Sequence, residues 1–352
     1  MEFEKFKTMH FPRDVYIGHG VLANLPLIAE RYIRRGSIVI VTGDFTYGLV
    51  GKQVEDILKD AGYLVNVIKI GAADEHNLNL VTNFAARGKT GMMIGVGGGT
   101  KIDVAKKVAF DLNIPLVSVP TSPSHDGIAS PRASISRPNG IYSEEGAMPI
   151  AIVADTSIMV KAPYRYLKAG AADVISNLTA ILDWKLAYRL KGEEYSSSAA
   201  AISEYAAKEL IEKAHMILED VEESVWLVTK QILASGTAMA IAGSSRPASG
   251  SEHLIAHALT QFGPGNSIHG EQCAIGSVVS MFLHGGDWRS LKQTYETIGM
   301  SVRAKDYNIP REVMIKALST AHSMRPERYT ILGETDLSLS ASERSLEITG
   351  II

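Results

Sequence analysis

The sequence predicts an α/β chain in two parts: a parallel-sheet domain over residues 1–162, followed by an all-α domain over residues 163–352. Two observations carry this reading. Through the first half, short apolar runs alternate with stretches of helical spacing, the pattern of a parallel sheet covered on both faces. After about Lys161 the strand-like runs stop, and long Ala-rich segments with helical periodicity replace them.

Taken in order, Ser37–Thr42 (SIVIVT) is the first β-branched strand, and a helical pattern runs from about Gly48 to Asp60. Leu64–Ile70 reads as the next strand, with a helix near Leu78–Ala86. Gly91–Val96 runs into Gly97-Gly98-Gly99, and Lys101–Phe110 reads as the following helix. Pro115–Val119 and Met148–Ala154 complete the strands. Between them, Arg132–Glu145 carries the turn signal Arg137-Pro138-Asn139-Gly140, which reads as a β-hairpin insertion. Tyr166–Leu190, Ser196–Leu218, Val221–Ile241 and Ser251–Gln261 are the helices of the second part, punctuated by Gly192, Gly243 and Gly263-Pro264-Gly265.

Composition narrows the function. The chain has 352 residues, 46% of them hydrophobic and 21% charged, a globular profile. A net charge of −3 without a basic block argues against a nucleic-acid binder. One cysteine, Cys273, rules out an intramolecular disulfide and a multi-thiolate zinc site, and a reducing, cytoplasmic location is the simplest reading. The N-terminal MEFEKFKTMHFPRD lacks an apolar signal core, and no membrane-spanning segment is expected.

Three clusters of residues carry chemistry. Gly97-Gly98-Gly99-Thr100-Lys101-Ile102-Asp103 lies between a strand and a helix, where bare backbone amides and the positive helix end suit a pyrophosphate. It is not the GxGxxG fingerprint, and alone it fits a plain strand-to-helix turn equally well. A second polar loop, Thr121–Ser130, follows the next strand at the carboxyl edge, where open α/β sheets bind ligands. Asp44, closing the first strand, is a weak pointer to an adenosine ribose and hence to NAD. In Ser251–Gln261, His253 and His257 share one helix face, and His269 follows a turn that can bring it back. Histidines with one carboxylate and an open position suit a catalytic zinc. Asp173 is the candidate carboxylate, although pattern alone does not choose it over Asp183, Asp155 or Glu271.

Together, Gly97–Asp103, Pro120–Ser130 (PTSPSHDGIAS), Ala169–Asn177 (AGAADVISN), Ser249–Leu259 (SGSEHLIAHAL) and Ser267–Glu271 (SIHGE) resemble the sn-glycerol-1-phosphate dehydrogenases. These are relatives of glycerol dehydrogenase and the iron-type alcohol dehydrogenases. The resemblance implies a Rossmann-like first domain and a helical second domain, the architecture shared with dehydroquinate synthase, with the active site between them. It implies Gly99, Thr100, Lys101, Ile102, Asp103, Thr121, Ser122, Pro123, Ser124 and Ser130 as NAD or NADP contacts. It further implies Asp173, His253 and His269 as zinc ligands at the catalytic centre, and Asp126, Asp173 and His257 as substrate contacts, so that His257 need not be a ligand.

The implied reaction is reversible reduction of dihydroxyacetone phosphate to sn-glycerol 1-phosphate, which in archaea supplies the glycerol backbone of ether lipids. The implied partner is thus a small phosphorylated molecule, and a homo-oligomer is compatible. The competing readings are a glycerol or polyol dehydrogenase with an unphosphorylated substrate, a lyase resembling dehydroquinate synthase, and a non-catalytic nucleotide-binding module.

Overall fold

The structure is a computed structural model that describes residues 8–33, 36–137 and 140–352. Its first part is a six-stranded, wholly parallel sheet in the order β1 (Asp14–Gly18), β8 (Ala151–Asp155), β5 (Leu116–Pro120), β4 (Thr90–Gly97), β2 (Ser37–Thr42), β3 (Val65–Lys69). Successive strand residues alternate between faces. Ile38 and Ile40 therefore join Leu25 and Ile28 of α1 (Leu25–Tyr32) and Val54 and Leu58 of α3 (Lys52–Asp60) on one face. Val39 and Val41 join Leu78 and Val81 of α4 (Glu75–Arg87) and Val104 and Val108 of α5 (Gly99–Asp111) on the other. A short helix, α2 (Asp44–Thr46), and a wide π-type turn at Tyr47–Gly51 lead into α3, so this helical segment begins earlier than the sequence pattern suggests.

The hairpin is present as β6 (Arg132–Arg137) paired antiparallel with β7 (Gly140–Glu145). Pro138 and Asn139, at the expected turn, lie outside the described residues. After β8 comes α6 (Thr156–Met159), then the helical part: α7 (Tyr164–Lys191), α8 (Ser197–Glu212), α9 (Glu222–Ala242), α10 (Ser251–Phe262), α11 (His269–Leu283), α12 (Trp288–Thr297), α13 (Arg311–Ser319) and α14 (Leu339–Thr349). Their core is continuous with the sheet side, since Ile102, Ile128, Ala129, Ile152 and Ala154 pack into the same apolar cluster as Val174, Ile232, Leu254 and Ile275.

Among the described residues, α9 alone is long and apolar enough to cross a membrane by length and composition. The helix earns its hydropathy as a core element: Val228, Ile232 and Met239 are buried against the rest of the fold.

The order in which strands are added to the sheet reverses between β2 and β4. β2 leads out to β3 on one side and β4 leads to β5 on the other, which opens a crevice at their carboxyl ends. Gly97 ends β4 there with φ +149°, a backbone conformation that side chains disfavour. The turn opens directly into α5, whose first residue is Gly99.

Candidate metal centre and cofactor crevice

The crevice is built by two successive loops held to one another. The Thr121 amide donates to the Gly97 carbonyl at 3.1 Å, so the β5 loop is fixed to the glycine turn of β4. Gly99, Thr100, Lys101, Ile102 and Asp103 form the first turn and a half of α5, with their amide end facing the crevice. Lys101 reaches across the mouth to the Gly71 carbonyl at 2.7 Å, and Ile102 is buried in the core. Asp103 pairs at 3.1 Å with Lys106, a fully buried ammonium that also donates to the carbonyls of Gly127 and Arg132. One cation thus ties α5 to the β5 loop and to the root of the hairpin. Thr121, Ser122, Pro123 and Ser130 are buried in that loop, and Ser124 is partly exposed. Asp44 stands apart: it is highly exposed and pairs with Lys69 at 3.2 Å.

His125 occupies the space in front of the glycine turn. A Cβ added to Gly99 would lie 1.9 Å from its Nε2. Its Nδ1 accepts the Gly127 amide at 2.9 Å, so in the neutral ring Nε2 carries the proton, and burial holds the ring neutral by lowering its pKa to about 4.

The β5 loop then meets the helical part. Pro123 packs so closely on α7 that a Cβ at Gly170 would sit 1.9 Å from the Pro123 carbonyl oxygen. The Asp126 amide donates to Asp173 Oδ2 at 3.0 Å, and Asp126 Oδ2 accepts the Ser235 hydroxyl of α9 at 2.7 Å. Burial, and then the charge of Asp173, hold the Asp126 carboxyl protonated well above the usual carboxylate range.

Three helices converge on Asp173. α7 supplies Asp173, α10 supplies His253 and α11 supplies His269, its first residue. The two imidazole Nε2 atoms are 3.3 Å apart and lie 3.6 Å (His253) and 3.5 Å (His269) from Asp173 Oδ1. Ligands at about 2.0–2.1 Å from a tetrahedral ion are spaced by about 3.3–3.4 Å, so these three atoms stand like three corners around a zinc-sized cation. Asp173 Oδ1 is buried and has no hydrogen-bond partner, a cost that a cation would remove. The residues present therefore fit a divalent metal.

The imidazoles are prepared for such a role. Burial, with His269 adding to it, lowers the His253 pKa to about 3, so that ring is neutral. Its Nδ1 lies 2.9 Å from Glu252 Oε1, the carboxylate–histidine arrangement that orients a metal ligand. Glu252 is fully buried; burial, and then Asp183, raise its pKa to about 7. Cys273, one turn after His269, places Sγ 3.5 Å from His269 Nε2 and 3.8 Å from His253 Nε2, and its four-residue group with Asp173, His253 and His269 is compact enough to surround one ion. Burial keeps the thiol protonated. His257 is not in that group. It lies one turn along α10, its ring 6.4 Å from the His253 ring, and burial, followed by His253, lowers its pKa to about 3.

The other acids have different work. Asp155 caps α6 and accepts the Gly20 and Leu22 amides at 3.1 Å each. Asp183 accepts from the Ser251 amide and hydroxyl, His284 and the Ile331 amide. Glu271 is held by Arg165 in two bonds of 2.6 Å. Glu252, Cys273, Ser235 and His125 were not singled out by the sequence reading. Glu252 directly precedes His253 and Cys273 follows His269 by four residues, but neither spacing has meaning until the helices are packed.

The fold and this centre define a class. A family model described as iron-containing alcohol dehydrogenase matches residues 16–163. Glycerol dehydrogenase from Schizosaccharomyces pombe shares the fold with a TM-score of 0.82 at 21% identity, over 99% of this chain and 92% of that one. A probable glycerol dehydrogenase from Sinorhizobium meliloti 1021 does so with a TM-score of 0.80 at 17% identity, over 98% of each. Among curated relatives, the NAD(P)+ glycerol-1-phosphate dehydrogenase of Picrophilus torridus is 61% identical over 352 residues, covering both chains completely. That of Thermoplasma acidophilum is 60% identical over the whole of both, and that of Methanosarcina barkeri is 45% identical over 98% of this chain and 97% of its own. The chain belongs to the glycerol-1-phosphate dehydrogenase family.

Proposed function

We propose that the chain catalyses the reversible, NAD(P)-linked interconversion of dihydroxyacetone phosphate and sn-glycerol 1-phosphate, with zinc held by Asp173, His253 and His269. The observation that carries this reading is the convergence of those three side chains beside Asp126, on the loop that borders the cofactor crevice. The full-length relatives named for this activity support it. They also favour it over an unphosphorylated polyol, a lyase or a mere nucleotide-binding module.

When bound, the divalent ion supplies Lewis acidity at the substrate oxygens, and the nicotinamide gives or takes the hydride. The chain's own residues position the reactants. The first turn of α5 and the loop Thr121–Ser124, with Ser130, hold the cofactor against the carboxyl edge of the sheet. Asp126, fixed by Ser235, can hydrogen-bond a substrate oxygen. His257, neutral, offers one donor and one acceptor to a substrate hydroxyl and can pass a proton outward. The buried walls of α7, α10 and α11 exclude water.

Residues 1–162 form the cofactor domain and 163–352 the metal and substrate domain in this reading, in keeping with a sheet that ends at Asp155 and a first long helix that starts at Tyr164. A cytoplasmic location suits the single, buried, free Cys273. The test is NADH and NADPH oxidation by the purified chain with dihydroxyacetone phosphate, before and after chelation, with chiral analysis of the product. Zinc-dependent formation of sn-glycerol 1-phosphate is expected; turnover unaffected by complete metal removal would overturn the reading.

A further inference from the structure

A phosphorylated substrate needs a cationic seat one ester arm away from its carbonyl, and several guanidiniums of the helical part are already engaged by carboxylates. Arg165 is held by Glu271, Arg246 by Glu193, and Arg311 by Glu343 and Glu347. Three arginines near α10 keep their terminal amino groups free of carboxylates among the described residues. Arg132 opens the hairpin strand β6; it donates to the Ser143 hydroxyl at 3.2 Å and to the Ser143 carbonyl, and among the described residues it has no ion-pair partner. Arg328 is buried and donates to the Ser245 hydroxyl at 2.8 Å and to the Ser249 carbonyl, again without an ion pair among the described residues. Arg325 is partly exposed and uses only Nε, toward the exposed Glu327 at 2.7 Å, so that both of its terminal amino groups lack a partner among the described residues.

Elements beside these residues pack on one helix. Arg325 closes the 3-10 turn His322–Met324, which packs on α10, and β7, the partner strand of Arg132, packs on α10 as well. α10 carries His257. Burial, His253 and His269 do most to keep His257 unprotonated, and Arg325 and Arg328 add to this. Burial, and then Arg325, likewise disfavour the charge on Arg132. Like charges collected on a half-buried wall are costly, and an anion bound there would add to the partial compensation from Glu327, Glu144, Glu145, Glu252 and Glu193.

We infer that Arg325, with Arg132 from the hairpin and Arg328 behind it, forms the seat for the phosphate dianion of the substrate. The inference rests on the proposed function for the identity of the substrate, and it assigns the group that separates this substrate from an unphosphorylated polyol. A planar guanidinium with two free amino groups can bind two phosphate oxygens at once, which an ammonium cannot. The hairpin comes from the sheet part and Arg325 from the helical part, so the phosphate would also bridge the two walls of the crevice.

The test compares the zinc-loaded chain with Arg325→Met, Arg325→Lys and Arg132→Met. The expected result is a 10- to 100-fold fall in the ratio of kcat/KM for dihydroxyacetone phosphate to that for dihydroxyacetone, carried by KM, with Arg325→Lys in between. KM for NADPH should stay the same. Calorimetric titration with inorganic phosphate should show binding to the parent chain and at least tenfold weaker binding to both methionine variants. An unchanged ratio, or a rise in NADPH KM in place of the substrate effect, overturns the assignment. If the parent chain itself does not prefer the phosphorylated substrate, the proposed function falls; the phosphate titration then decides the anion seat independently.

Discussion

Asp173 faces two ways. Its Oδ2 is satisfied by the Asp126 amide, while Oδ1 is buried without a donor and lies between two imidazole nitrogens. A carboxylate oxygen left so is destabilising by about 1–3 kcal/mol or more, which a bound cation converts into affinity. His253→Ala is therefore expected to abolish stoichiometric zinc and turnover together, as read by metal analysis on the dialysed protein. Retention of both would reject the ligand set. His257→Ala should keep zinc and raise substrate KM. Glu252→Gln removes the carboxylate that orients His253, and zinc affinity measured against a competing chelator should drop about 10- to 100-fold. Proton bookkeeping gives a further check. A divalent cation beside Asp173 favours the ionised form of neighbouring acids, and Asp126 is held protonated in the metal-free chain. Zinc uptake at pH 7 should thus release protons, visible as a buffer-dependent heat in titrations run in two buffers. Net proton uptake would contradict this electrostatic picture.

At the scale of elements, the centre depends on close helix packing where side chains are absent. Gly270 follows His269, and a Cβ there would lie 2.0 Å from the Ala169 carbonyl oxygen of α7. Gly270→Val must push α11 away from α7 and carry His269 off Asp173, so zinc affinity should fall even though no ligand is changed. Normal zinc affinity in a folded Gly270→Val chain would show that this contact does not set the spacing. Lys106 plays the matching part for the crevice, bonding Asp103 and the carbonyls of Gly127 and Arg132 from a fully buried position. Lys106→Met should lower stability by about 3 kcal/mol in urea unfolding, because it strands a buried carboxylate and two carbonyls. Within the first half, β2 to β5 and their helices were legible because each strand is a β-branched or apolar run bounded by Gly, Asp or Pro. β1 and α1 were passed over: Asp14–Gly18 is a short edge strand, only partly buried, with no alternation to mark it. The helices beyond His269 were also left unassigned, since Gly285-Gly286 and Gly299 break that region into short pieces.

Over the whole molecule, the division into a sheet part and a helical part is readable from periodicity, and the crevice between them follows from where the polar loops fall along the strands. What the sequence could not give is convergence. Asp173 lies 80 residues from His253 and is embedded in small apolar neighbours, and only packing shows why Asp183, ten residues along the same helix, serves Ser251 and His284 instead. The same holds for the grouping of Arg132, Arg325 and Arg328 near α10, which ordinary composition hides among the chain's 35 lysines and arginines.

The central claim is that side chains from α7, α10 and α11 close around one ion. Anomalous diffraction at the zinc edge, on crystals of the purified chain, tests it most directly. One peak is expected about 2.0–2.2 Å from Asp173 Oδ1 and from the Nε2 atoms of His253 and His269. A fully active crystal with its zinc bound elsewhere, or with none, would contradict the account.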